Sequence, residues 1–180
     1  MRDALLEMHR SLLEGRKGDH LASFTGEAGE MRVVEALYEF YRAGRAFRQR
    51  YVEAYGESEW QDVRYDKKAR LYLPPEDTKL YEHAVIKTTG EETAEATVVS
   101  GKLPMHLRRT DAGWRVEAAS VVPPNADPRK VAELTERWTR ILRRQRERIG
   151  RDGLDADDIR EQLGDEGFER RWQLFARPLA

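Results

Sequence analysis

The stretch Thr78 to Val122, TKLYEHAVIKTTGEETAEATVVSGKLPMHLRRTDAGWRVEAASVV, alternates apolar and polar residues between short turn signals. Glu82, Ala84, Ile86 and Thr88 alternate with His83, Val85 and Lys87, and Thr89-Gly90 turns the chain. Ala94, Ala96 and Val98 alternate with Thr93, Glu95, Thr97 and Val99 before a second turn at Ser100-Gly101. Leu103, Met105 and Leu107 share one face and His106 and Arg108 the other. Thr110-Asp111-Ala112-Gly113 is a short hairpin loop with glycine where a positive φ is needed, and Trp114, Val116 and Ala118 continue the apolar face. Period two with one apolar face predicts an antiparallel sheet covered on one side. Ala84, Ile86, Met105, Leu107, Trp114 and Val116 should then face inward, and His83, His106 and Arg115 outward.

The residues before this stretch have helical spacing. Ala4, Leu5, Met8, Leu12 and Leu13 mark a first helix that Gly15 and Gly18 stop. Asp19 suits the N-cap of a short helix carrying Leu21 and Phe24, and residues 25–29 form a break. Val33, Leu37, Phe40, Gly44, Phe47, Tyr51 and Tyr55 lie on one stripe of a long helix over 30–55, with Gly56 as its C′ glycine. Within 57–77, Val63 to Tyr65 and Ala69 to Leu73 read as short strands. After the sheet, Pro123-Pro124 punctuates the chain and Asp127-Pro128 starts a helix whose buried stripe is Val131, Leu134, Trp138, Ile141 or Leu142, and Ile149. Gly150 and Gly153 stop it. Asp155 and Asp158 open a short helix through Ile159 and Leu163, which Gly164 and Gly167 break, and Phe168, Trp172 and Phe175 suggest a last turn or two. The organisation is one α+β domain over 1–124 and a helical arm over 125–180.

Composition narrows the function classes. With 32 basic against 33 acidic residues among 180, net charge is near zero, which argues against global capture of nucleic acid or anionic membrane. The absence of cysteine excludes disulfides, thiolate zinc sites and a cysteine nucleophile. No window approaches a membrane span, and the first residues lack a signal-peptide apolar run, so the expectation is a cytoplasmic protein.

Three segments carry a resemblance. Leu12-Leu13, Gly18-Asp19, Leu21 and Phe24 look like the first helix and linker of the SnoaL-like, nuclear-transport-factor-2-like superfamily. Leu103 to Arg109 looks like its penultimate strand, and Asp111 to Val116 like its closing hairpin. The resemblance covers about residues 3–122. It implies a cystatin-like cone, with N-terminal helices packed on a curved antiparallel sheet around a cavity. It also implies a homodimer through the outer sheet face, with Thr93, Glu95, Thr97, His106 and Arg108. Members of that superfamily include cofactor-independent isomerases, dehydratases and cyclases, as well as non-catalytic binding modules, so fold does not select among them.

All seven tyrosines fall between Tyr38 and Tyr81. In such a cone, Phe40, Phe47, Tyr51, Tyr55 and Trp60, with Met105 and Trp114 from the sheet, would line a pocket for a small apolar ligand. The same residues also suit plain packing of a helix on a sheet. An enzyme would need a general base facing the cavity. Asp62, Asp66, Glu82 and His83 are the groups near its mouth, and alternation with Ala84 and Ile86 makes Glu82 the catalytic candidate. His9, His20, His83 and His106 have no metal-ligand spacing, and Asp152 to Asp158 fails the register of a calcium loop, so neither metal nor cofactor is expected.

Arg137 to Arg151 holds seven arginines and one acid, Glu147. The sharp reading is a basic helix gripping phosphates. Against it, Asp152 to Glu166 holds seven acids and one arginine and could fold back to neutralise the helix, so nucleic acid is not the expected partner. No motif names a ligand or a reaction. The first expectation is a non-catalytic ligand-binding or dimerisation module. The alternatives are an acid-base enzyme and an interaction protein working through the arginine-rich helix.

Overall fold

The computed structural model describes residues 1–65, 71, 73, 78–98, 104–151 and 153–165, with 64 and 65 described by backbone alone. The fold is α+β, seven α-helices and five strands among those residues. It divides into two compact units, Met1–Tyr38 with Pro75–Ala132 and Glu39–Pro74 with Glu133–Ala180. The segment read as an arm is shared between them, since residues 127–132 fall in the first unit and those from 133 onward in the second.

In the first unit, α1 (Arg2–Glu14) ends at Gly15, whose φ of 79° is the left-handed cap a glycine adopts without strain. The next helix, α2 (Lys17–Ala22), starts one turn earlier than expected: Arg16 is its N-cap, and Asp19 sits in the first turn, where it takes the Arg16 guanidinium. Phe24–Thr25 forms a strand, β1, where the sequence pattern places the end of the short helix at Phe24 and the start of a break at Thr25. It pairs in parallel with the last strand, so the sheet is mixed rather than purely antiparallel. The first part of α3 (Ala28–Tyr55) and the one-turn helix α5 (Lys79–Glu82) complete the helices before the sheet.

Strands β2 (Val85–Thr88), β3 (Thr93–Thr97), β4 (Met105–Thr110) and β5 (Gly113–Glu117) form the antiparallel part, in the spatial order β1-β5-β4-β3-β2. Ala96 faces Met105 and Leu107 faces Val116, so the expected apolar positions share one side. That side is covered by Leu5, Met8, Phe24 and Val34, which form one core with Ala84, Ala94, Ala96, Leu107, Val116 and Ala118. Ile86, Met105 and Trp114 pack against it half-buried. On the other side His106 is exposed and Arg115 half-buried, whereas His83, expected there too, is the exposed C-cap residue of α5 and precedes the strand. The sheet ends one residue early, because Ala118–Val121 turns into a 3₁₀ helix. The second turn, at Ser100-Gly101, and Leu103 lie outside the described residues.

The second unit is helical. It holds the rest of α3, α4 (Glu57–Tyr65), most of α6 (Pro128–Arg148) and α7 (Ala156–Asp165). The expected strand at Val63 to Tyr65 is the last turn of α4. Trp60 and Val63, three residues apart, bury one helical face, and Glu57 and Glu59 complement the dipole at its start. Most of the other expected strand, Ala69 to Leu73, lies outside the described residues, but Leu71 is buried in this core and Leu73 packs against it. Gly44 makes room there: a Cβ on it would lie 2.6 Å from Leu73 Cδ2. Asp127 caps α6 as expected, its carboxylate accepting the Arg129 N–H at 2.9 Å. Asp155 and Asp158 cap α7 reciprocally, each accepting the other's backbone N–H at 2.9 Å. Helix α7 continues through Gly164, where a break was expected, and residues Phe168, Trp172 and Phe175 lie outside the described ones. Among the described residues no helix is long and apolar enough to cross a membrane.

Candidate functional site

The seven residues expected to line one pocket fall into two separate cores. Phe40, Phe47, Tyr51 and Trp60 are buried together in the second unit, with Tyr55 packed against them. Met105 and Trp114 belong to the core of the first. The aromatic side chains meet each other, Phe47 and Tyr51 with ring centres 5.7 Å apart and Tyr51 and Trp60 6.1 Å apart. The same core contains Trp138, Leu142, Ile149, Ile159 and Leu163. The two tyrosine hydroxyls serve the backbone that joins α6 to α7. Tyr51 donates to the Ala156 carbonyl at 3.2 Å and Tyr55 to the Leu154 carbonyl at 2.8 Å. Burial pushes the Tyr51 phenol well above its usual pKa.

Glu82 is placed differently from the sequence reading. It lies in the one-turn helix α5, ahead of β2, so strand alternation does not reach it. Its side chain is exposed and accepts a hydrogen bond from Thr78 Oγ1 at 2.6 Å. Ala84 and Ile86 keep their expected side. His83 is exposed, Asp62 is exposed on α4, and Asp66 lies outside the described residues. The buried polar side chains among the described residues are His9, Ser11, His20, Ser23, Thr135, Thr139 and Gln145, a set without a carboxylate.

Two of these are imidazoles in the first unit. His20 Nδ1 lies 2.8 Å from the Met8 carbonyl oxygen, and its ring packs on Phe24 and Tyr38. Burial holds its pKa below 6.5, and the nearby His9 adds to that depression. His9 stacks obliquely on Tyr81, ring centres 4.6 Å apart. Both rings act as core side chains.

The first unit also carries a cleft of about 430 Å³, lined by Thr25, Gly26, Glu27, Glu30, Arg108, Glu117 and Ala119. Five elements build it. The outer sheet face supplies Arg108 from β4 and Glu117 from β5, whose Nε and Oε1 lie 2.6 Å apart. The end of β1 supplies Thr25, in register with Glu117. The first turn of α3 supplies Glu30, which accepts the Glu27 backbone N–H at 3.0 Å and so closes half of a capping box. The 3₁₀ turn supplies Ala119. Gly26 has to be glycine, because a Cβ there would lie 2.6 Å from Glu30 Oε2 and 2.8 Å from Ala118 Cβ. The lining thus sets three carboxylates against one guanidinium, and a charge excess of that sign favours a cationic guest. Among the described residues no three His, Asp or Glu side chains are placed to hold a metal ion.

The sequence held one sign of this site. Arg108 and Glu117 fall on the polar side of the strand alternation, but nothing in the pattern joins them to residues 25–30. That link depends on β1, a two-residue strand without periodicity of its own. Comparison with models of known families, with curated proteins and with solved structures finds no match for the chain.

Proposed function

We propose that the chain is a non-catalytic, SnoaL-like binding module whose ligand is a small organic amine seated in the cleft of the first unit. The carrying observation is the cleft itself, about 430 Å³ and lined by Glu27, Glu30 and Glu117 with Arg108. Its volume falls within the range of small-molecule sites. The lining changes the ligand class from the apolar one expected at the aromatic residues to a polar, positively charged one. The SnoaL-like assignment is supported by two short helices and a long one preceding four antiparallel strands with one apolar side. A binding role is favoured over acid-base catalysis because Glu82 is solvated and carboxylates are absent from the buried polar side chains among the described residues.

The test is thermal shift and calorimetry with 1,4-diaminobutane, and with butanol and butyrate as neutral and anionic controls. The diamine should raise the melting temperature and the controls should not. A charge-assisted hydrogen bond is worth about 1.5–3 kcal/mol, so Glu117→Gln should weaken binding by about tenfold or more. Glu30→Gln should do the same while keeping the cap, because glutamine can accept the Glu27 N–H. A flat response to the diamine, or equal responses to all three probes, would contradict the proposal.

A second reading, a homodimer through the outer sheet face, rests on Val85. It is 71% exposed, on edge strand β2, and is the one large hydrophobic side chain exposed among the described residues. Sedimentation should then show a dimer that Val85→Lys dissociates; a monomer at all concentrations would remove this reading.

A further inference from the structure

We infer that the solvent-facing arginines of α6 form a ridge that binds the phosphate backbone of nucleic acid. The inference concerns the second unit and is independent of the amine cleft. Trp138, Ile141, Leu142, Gln145 and Ile149 turn one face of α6 into the core. The opposite face carries Arg137, Arg140 and Arg144, all exposed, and Arg151 follows just beyond the helix, also exposed. The spacing of three and four residues keeps Arg137, Arg140 and Arg144 on one side of the helix, in a row about 10 Å long at 1.5 Å per residue.

The acidic segment was the argument against this reading, and three of its five described carboxylates are engaged at the start of α7. Asp155 and Asp158 cap α7, and Asp157 pairs with Arg160 inside that helix. Arg148 reaches the Gln162 amide oxygen rather than a carboxylate. Of the other arginines, Arg143 pairs with Glu39 at 2.6 Å. Arg137, Arg140, Arg146 and Arg151 make no ion pair among the described residues. Complementing the helix dipole accounts for arginines in the last turn, Arg146 and Arg148, but not for Arg137 and Arg140 further back.

The choice of nucleic acid over an acidic protein follows from what the ridge lacks. A protein interface is anchored by buried apolar or aromatic side chains at its centre. No large hydrophobic side chain is exposed in the described part of this unit, since the exposed one, Val85, belongs to the other. Phosphate binding needs no such anchor, and guanidinium forks suit phosphate oxygens. The exposed Glu133 and Glu147 and the half-buried Glu136 flank the row and confine the contact to a strip one helix wide.

Fluorescence anisotropy with a labelled oligothymidylate over a salt series tests this on the full chain. Three to four phosphate contacts predict a log–log salt slope of about −2 to −3. The triple variant Arg137→Gln/Arg140→Gln/Arg144→Gln should bind at least tenfold more weakly, with a slope flatter by about 2, and should keep its melting temperature. Arg140→Gln alone should weaken binding severalfold, which covers any folding defect in the triple variant. Arg10→Gln, an equal charge change on exposed α1, should leave binding within twofold. No binding at low salt, an Arg10→Gln effect as large as the Arg140→Gln effect, or equally tight binding of polyglutamate or of anionic vesicles would overturn the proposal.

Discussion

Tyr51 and Tyr55 hold the connection between α6 and α7 through their hydroxyls, and this role can be separated from ring packing. Removing one hydroxyl takes a donor from a part-buried carbonyl, at a cost of about 1 kcal/mol. Tyr51→Phe and Tyr55→Phe should each lower stability by about that amount in denaturant titrations, without changing diamine binding. Phe47 is fully buried in the same core, so Phe47→Ala should cost about 3–5 kcal/mol. His20 gives a pH signature of the opposite unit. Because burial holds its folded-state pKa below 6.5, the unfolded chain binds a proton first as pH falls. Stability from this group is complete above about pH 6.5 and declines below it, by at most about 1.4 kcal/mol per pH unit. Urea unfolding across pH 7.5 to 5 checks this: the decline should be visible in the wild type and reduced in His20→Asn. At this scale the predicted stripe of α3 is buried at Val33, Phe40, Gly44, Phe47 and Tyr51 and half-buried at Leu37 and Tyr55. The pattern could not say what the stripe packs against, because periodicity identifies a face and not the partner.

Elements with caps or sustained alternation were legible, and those defined by a distant partner were not. Asp127-Pro128 and Asp155 with Asp158 are local devices, and each caps a helix as its chemistry dictates. Asp127→Ala should therefore cost about 1 kcal/mol, measured by thermal or urea unfolding. Strands β2 to β5 follow their period-two pattern, apart from Glu82, where a helical turn replaces the strand start. Strand β1 has two residues and owes its existence to β5, whose Val116 N–H donates to the Ser23 carbonyl at 3.0 Å. Helix α4 was misread at Val63 to Tyr65 because three residues with β propensity say little against a helical neighbourhood. The cleft stands on these poorly legible parts. Gly26 is its tightest point, so Gly26→Ala should lower the melting temperature and weaken diamine binding together, by forcing Ala118 and the Glu30 carboxylate apart.

For the whole molecule, the α+β class followed from the order of patterns, whereas the grouping of elements into two units did not. A stripe that runs through α3 without interruption in sequence serves Val34 in one core and Phe40 onward in another. The aromatic residues accordingly serve as core, and the proposed working site is the polar cleft. The most direct measurement is amide chemical-shift mapping of the isotope-labelled protein during titration with 1,4-diaminobutane. The account predicts saturable shifts confined to Thr25–Glu30, Arg108 and Glu117–Ala119, and none along Phe40–Trp60. Shifts centred on Phe47, Tyr51 and Trp60, or no saturable shifts at all, would contradict it.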